Sequence, residues 1–340
     1  MSRLLITGAT GFLGRHLVTP LRQRGHEVIA LCRKSDPALD PGGPAERALE
    51  AEGVDVRRGD VLDAASVRAA AEGCAALLHC AGKVSRKPED AEELYRLHVE
   101  GTKITLDACR AVGVGRVVLA STSGVVAVTK DPSVTNEDAA APIDIIARWP
   151  YYRSKLYAEK AAFDRNSKGF EIVAVNPTLL LGPGDTRGSS TGDVVKFLEK
   201  KIPFIPAGGL SFVDVRDAAQ AMALALEKGR AGQRYLVSAV NLTVEAFFGR
   251  LERISGVPGP RLKLPRSVAL ARAGAQLMER AAKHMPIEAP VDKVSAEMAQ
   301  HFWYVDASLA RAELGWEPRD PSETLADTVA DLRARGVVWP

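Results

Sequence analysis

The chain has 340 residues, a formal net charge of +3, 46% hydrophobic and 26% charged residues. That length suits about two domains, or one large α/β domain with an appendage. So small a charge for this length implies neither nucleic acid nor an anionic membrane surface as partner. Cys32, Cys74, Cys80 and Cys109 show no CxxC spacing, so neither a disulfide framework nor a metal site is expected. Only Leu4-Leu5-Ile6 precedes the first glycine, too little for a signal-peptide core. No uncharged apolar run approaches the ~18 residues of a membrane span, so a cytoplasmic protein is expected.

In chain order, the apolar run Leu4–Thr7 predicts a strand that ends on Gly8, Gly11 and Gly14, with an amphipathic helix near Phe12–Arg24 behind it. Gly8 allows a sharp turn off the strand, Gly11 leaves no Cβ against a ligand, and Gly14 lets the helix pack on the strand. The first amide N–H groups of that helix point at the turn, which suits a pyrophosphate. Strands follow at Val28–Cys32, Val54–Arg57, Ala76–Cys80, Arg116–Ala120 and Glu171–Asn176. Helical patterns alternate with them near Ala64–Glu72, Ala91–Val112 and Tyr152–Ser167, the first capped by Asp63. The segment Lys34–Glu46, rich in Pro, Gly and Asp, is expected as a loop.

From about Pro177 the rhythm changes. Glycine-rich loops at 182–192 precede short strands and helices at Val215–Lys228, Val244–Ser255, Ser267–Lys283 and Thr324–Arg335. The expected fold is therefore α/β, a Rossmann-type doubly wound parallel sheet with a smaller mixed C-terminal lobe. Residues 1–177 would form the dinucleotide-binding domain and 178–340 the substrate lobe, with some chain crossing back to the sheet.

Two clusters carry chemistry. Tyr151 and Lys155 lie four apart, on one face of a helix, where an ammonium would lower a phenol's pKa. A phenol so tuned can exchange a proton near neutral pH, as carbonyl reduction requires. The strand Arg116–Ala120 runs into Ser121-Thr122-Ser123, at the sheet edge where open α/β sheets bind ligands. Ser123 could there donate to a substrate carbonyl beside Tyr151. A solvated helical pair and a serine-rich loop are the plainer readings of the same residues.

At this point the chain closely resembles the extended short-chain dehydrogenase/reductase superfamily over nearly its whole length. The likeness rests on Thr7-Gly8-Ala9-Thr10-Gly11-Phe12-Leu13-Gly14, Gly59-Asp60-Val61, His79-Cys80-Ala81-Gly82, Ser121-Thr122-Ser123, Tyr151 with Lys155, and Asn176-Pro177. Gly182–Asp185 and Gly208–Asp217 look like the dihydroflavonol 4-reductase-like branch, which includes hydroxysteroid dehydrogenases. Leu314-Gly315-Trp316-Glu317-Pro318 is similar to a C-terminal signature of these enzymes.

The resemblance implies Ser123, Tyr151 and Lys155 as the catalytic set. It puts the dinucleotide on Thr7, Gly8, Thr10, Gly11, Phe12, Leu13 and Gly14, its adenine on Asp60 and Val61, and its ribose and nicotinamide on Ala81, Gly82, Lys83, Tyr151 and Lys155. Asn176, Pro177 and Thr178 would face the nicotinamide end. His98 departs from the pattern, which usually has Asn there; it could replace that residue's hydrogen bonds. His79 reads as a core histidine.

Charge argues for NADPH over NADH, with NAD possible. After the second strand stand Cys32, Arg33 and Lys34, two cations and no carboxylate before Asp36, which suits a 2′-phosphate. Val84–Pro88, Gly124–Val128, Trp149, Thr186–Thr191 and Phe204–Leu210 should line the substrate pocket, with too few cations for a second pyrophosphate. The expected function is reduction of an uncharged or lipophilic ketone or aldehyde, or its reverse. Epimerisation or dehydration of a nucleotide sugar, and a non-catalytic dinucleotide sensor, are the rival readings. The helix 267–283 reads as packed on the lobe, or as a lid grazing a membrane. The two long helices of the first half would pair two copies into a homodimer.

Overall fold

The computed structural model describes residues 1–33, 44–264 and 293–339. Lys34 and the expected helix 267–283 lie outside the described residues. A seven-stranded parallel sheet forms the centre: β1 (Arg3–Thr7), β2 (Glu27–Cys32), β3 (Asp55–Arg58), β4 (Ala76–His79), β5 (Arg116–Ala120), β6 (Glu171–Pro177) and β10 (Arg234–Val237). Their spatial order is β10-β6-β5-β4-β1-β2-β3. Leu5 of β1 stands opposite Ile29 of β2 and Leu77 of β4, and all three are buried. Such continuous apolar runs are what a parallel sheet covered on both faces demands.

Helix α1 (Phe12–Gln23) covers one face through Leu17, Val18 and Leu21. Beside it lies α9 (Val215–Lys228), which buries Ala218, Ala219, Ala221, Met222 and Ala225 against the same face. The alanines let the two helices approach closely. On the other face, α3 (Ala64–Ala71) and α5 (Gly101–Ala111) bury Val67, Ala70, Leu106 and Cys109. Asp63 caps α3 by accepting from Ala65 N at 3.0 Å.

The expected single helix 91–112 is instead α4 (Ala91–Tyr95), a π turn (Arg96–Glu100) and α5. The expected loop 34–46 ends early, because α2 (Pro44–Ala51) begins within it. Proline at a first helical position loses no hydrogen bond, and the alanines that follow favour the helix.

After β6 the chain builds a second sheet in the order β11-β9-β7, from β7 (Leu179–Leu181), β9 (Gly209–Asp214) and β11 (Val240–Thr243). It pairs β9 with β7 in parallel and with β11 antiparallel. Helices α8 (Gly192–Leu198) and α10 (Val244–Ser255) and the C-terminal helix Pro321–Ala334 cover it through Phe197, Phe247, Leu251, Leu325 and Val329. Between the two sheets, α9 and β10 return to the main one. Trp316 locks that return: its side chain is fully buried and its Nε1 donates to Asp217 O at 2.8 Å. Arg319 adds a forked contact to Asp217 Oδ1, from Nε at 3.0 Å and Nη2 at 2.9 Å.

Candidate active site

The turn after β1 is built for close approach. Gly8 takes φ +72°, and a Cβ there would lie 2.7 Å from Ala81 N. A Cβ on Gly14 would lie 2.2 Å from Gly8 O, so only glycine lets α1 seat on the strand. Gly11 N donates to Gly8 O at 2.9 Å and closes the turn. A Cβ on Gly11 would meet only that oxygen within 4 Å, leaving its other side open. The N-cap of α1 is Gly11 itself, no side chain caps it, and its first turn holds no acid. Those amides and the helix dipole fit a bound diphosphate. Thr10, Phe12 and Leu13 are half-buried around this turn. Thr7 is fully buried and serves the strand ends instead: its hydroxyl accepts from Ala81 N at 3.3 Å and bonds His79 Nδ1 at 2.7 Å. His79 Nε2 continues to Thr102 Oγ1 at 3.1 Å.

At the C-terminal end of β2, Arg33 is exposed. Arg58, paired in register with Cys32, donates from Nη1 to Arg33 O at 3.3 Å and from Nη2 to Glu46. Glu46 is buried and comes from α2, so a carboxylate reaches this strand end that the local sequence around Cys32 conceals. Val61 is buried, whereas Asp60 is half-buried and accepts from Leu62 N at 2.9 Å.

Helix α7 (Pro150–Phe163) carries Tyr151 and Lys155 along one face. Lys155 is buried and its Nζ donates to Ala120 O, the last residue of β5, at 2.6 Å. Ser123, 4% exposed, opens the 3-10 turn Ser123–Val125 just beyond that strand. The Lys155 ammonium and the Ser123 turn thus both lie at the C-terminal end of β5, on the sheet edge where the glycine turn after β1 also lies. Burial pulls Lys155 down to about 8, against an opposing pull from the Glu159 carboxylate. Tyr151 does not follow the expectation of a lowered pKa. Burial pushes its phenol up, and Tyr152 adds to that, while the Lys155 ammonium is engaged with a main-chain carbonyl.

The His98 ring stands edge-on to Tyr151 at 5.7 Å. Its Nε2 accepts from Lys83 N at 3.1 Å, and its Nδ1 lies 2.8 Å from Ser154 Oγ, which donates to Tyr151 O at 2.8 Å. A backbone N–H can only donate, so Nε2 carries no proton and the proton of the neutral ring sits on Nδ1. Burial and the Lys155 charge hold His98 down to about 3. Gly82 is the residue that fits against it, since a Cβ there would lie 3.0 Å from Nε2. Lys83 offers the site only its main chain, for Nζ turns to Glu93 (2.6 Å) and Asp90 (3.3 Å). Asn176 is fully buried, and its Nδ2 is committed to Thr122 O at 3.1 Å and Glu159 Oε2 at 2.7 Å. Pro177 ends β6, and Thr178 bonds Val237 O through N at 3.1 Å and Oγ1 at 3.3 Å.

The substrate side differs from expectation. Val125, Val126, Ala127, Val128 and Trp149 are core residues, each 3% exposed or less, and so line no open pocket. The aromatic face in front of them is Tyr152 and Trp303, their rings 4.9 Å apart, with Trp303 stacked at 5.6 Å on Trp149. A Cβ on Gly124 would lie 2.2 Å from the Tyr152 ring and 3.1 Å from Trp303. Trp303 escaped the sequence reading, although the run Phe302-Trp303-Tyr304 in a loop was its visible signal. Arg86 ties the loop after β4 to the lobe, through Asp193 Oδ2 at 2.9 Å and Ser295 Oγ at 3.0 Å.

The seven-stranded parallel sheet and the glycine turn leading into an uncapped helix define a dinucleotide-binding α/β protein. A model of the NAD dependent epimerase/dehydratase family matches residues 4–238. The chain is 33% identical to sterol demethylase protein B of Methylococcus capsulatus, over 98% of this chain and 99% of that protein. It is 31% identical to a putative dihydroflavonol 4-reductase of Synechocystis, over 98% and 95%. The crystal structure of gox2253 is similar with a TM-score of 0.83 and 27% identity, covering 100% of both chains. The chain belongs to the NAD-dependent epimerase/dehydratase family, within the extended short-chain dehydrogenases/reductases, and is an NAD(P)-dependent oxidoreductase of that type. No helix among the described residues is long and apolar enough to cross a membrane.

Proposed function

We propose that this chain reduces a lipophilic ketone or aldehyde with NADPH, or oxidises the corresponding alcohol. The observation that carries the reading is the seat of Lys155 on Ala120 O, which lines the Tyr151 helix against the Ser123 turn. The amides of Phe12 and Leu13 would hold the pyrophosphate, Arg33 and Lys34 the 2′-phosphate, and Lys155 the ribose hydroxyls. When bound, the nicotinamide supplies or accepts the hydride. Ser123 orients the substrate oxygen by donating to it. Tyr151 passes its phenolic proton to the same oxygen, and the Lys155 cation offsets the charge this leaves. A buried phenol otherwise holds its proton, so the neighbouring cation matters most during transfer.

The aromatic pair Tyr152 and Trp303 beside Ser123 supports a flat, apolar substrate, in keeping with a relative named for sterol demethylation. Tyr95 and Tyr157, 45% and 47% exposed on α4 and α7, support pairing of these helices in a homodimer. Four free cysteines suit a reducing cytoplasm.

Tyr151→Phe should lose about 10²–10⁴ in kcat with NADPH affinity nearly unchanged. NADPH absorbance with a panel of ketones, aldehydes, hydroxysteroids and nucleotide sugars measures it, and full activity in the variant refutes the assignment. Purified protein that carries bound NAD+ and consumes no NADPH would point to epimerisation instead.

A further inference from the structure

Glu159 stands one helical turn beyond Lys155 on α7, so Tyr151, Lys155 and Glu159 form a stripe at i, i+4 and i+8. A carboxylate 1% exposed is costly unless held by donors and a cation. Here it is held from two other strands. Asn176 of β6 donates to Oε2 at 2.7 Å, and Arg234 of β10 lies 2.8 Å from Oε1. Arg234 reaches inward although it comes from the half of the chain that returns late to the sheet. The same Asn176 amide group also donates to Thr122 O at 3.1 Å, so one side chain joins the carboxylate to the residue before Ser123.

We infer that Glu159 is a positioning residue of this site: its buried carboxylate is the counter-charge of Lys155 and, through Asn176, the anchor of the Ser123 turn. The inference rests on the assignment of Lys155 to ribose binding and proton transfer. Glu159 opposes the burial that depresses Lys155. The other groups facing Lys155 are Cys80 and His79 at the end of β4, His98 on the π turn and Tyr151 on α7. Burial keeps both histidines uncharged and the Cys80 thiol protonated, which leaves Glu159 as the carboxylate among these groups.

The test is NADPH binding to the full-length protein, followed by nicotinamide fluorescence from pH 6 to 10. In the wild type the dissociation constant should rise above about pH 8, where Lys155 loses its proton. In Glu159→Gln that rise should begin about one pH unit lower, because an opposite charge nearby has been removed. Glu159→Asp, which keeps the charge, should restore the wild-type profile. A Glu159→Gln protein that melts at lower temperature but keeps the wild-type pH profile overturns the inference and leaves Glu159 a purely structural partner of Arg234. Should Glu159→Gln fail to fold, Glu159→Gln with Arg234→Gln leaves no guanidinium without its carboxylate, and its profile should shift in the same direction; an unshifted one overturns the inference. A wild type with no alkaline rise overturns the Lys155 assignment itself.

Discussion

His98 shows how one side chain can satisfy three elements at once. It accepts from the loop after β4, faces Ser154 on α7 and sits on a π turn of its own helix. A π turn widens the helix locally and is common beside functional sites; this one carries the imidazole that meets both partners. An asparagine offers the same pair of functions, an acceptor oxygen for Lys83 N–H and a donor NH₂ for Ser154. His98→Asn should therefore cost under about 1 kcal/mol, whereas His98→Ala leaves the Lys83 N–H without its acceptor and the Ser154 oxygen without its donor, and should cost about 1–3 kcal/mol. Urea unfolding at pH 7.5 measures both, and equal losses would disprove the hydrogen-bond account. The departure from the family's usual asparagine was legible in the sequence. Ser154, 56 residues away, was not, because nothing local marks a serine as a partner.

At the scale of elements, those whose residues repeat a period were legible, and those defined by distant contacts were not. The strand–turn–helix at residues 3–23 and the helix holding Tyr151 and Lys155 follow from apolar spacing and from glycine and proline placement. Helix α2 escaped because a loop-like composition runs up to its first residue. The loop carrying Trp303 has no period at all, yet main-chain bonds between Thr129 and Phe302 in both directions, each 2.9 Å, pin it beside the Ser123 turn. That attachment makes Trp303 a fixed wall rather than a wandering loop residue. Trp303→Ala should raise KM for aromatic and polycyclic ketones about tenfold, the upper range of an aromatic pair. KM for a small aliphatic ketone such as acetone and the NADPH dissociation constant should change less than about twofold. Equal effects on aromatic and aliphatic substrates would show that Trp303 does not contact the substrate.

For the whole molecule, the seven parallel strands bring every strand end of the site to one edge, and that edge buries two imidazoles. His79 and His98 are each 2% exposed, and burial depresses both to about 3. His16 and His301 are lowered in the same sense, again chiefly by burial. In the unfolded chain a histidine titrates near 6.5. Between those values the unfolded chain takes up protons that the folded one refuses, so stability is full above about pH 6.5 and falls as the pH drops. Each such histidine contributes about 1.4 kcal/mol per pH unit in that window, so the pair should remove about 4 kcal/mol between pH 7 and pH 5. That is a large part of the 5–15 kcal/mol typical of a folded domain. Lys155 does not act in this window, since its depressed value of about 8 leaves it charged in both states below pH 7. Urea midpoints at pH 7, 6 and 5 test the slope, and His98→Asn should roughly halve the part due to this pair. A wild-type midpoint that stays constant down to pH 5 would mean that the buried edge opens to water and that these imidazoles titrate freely.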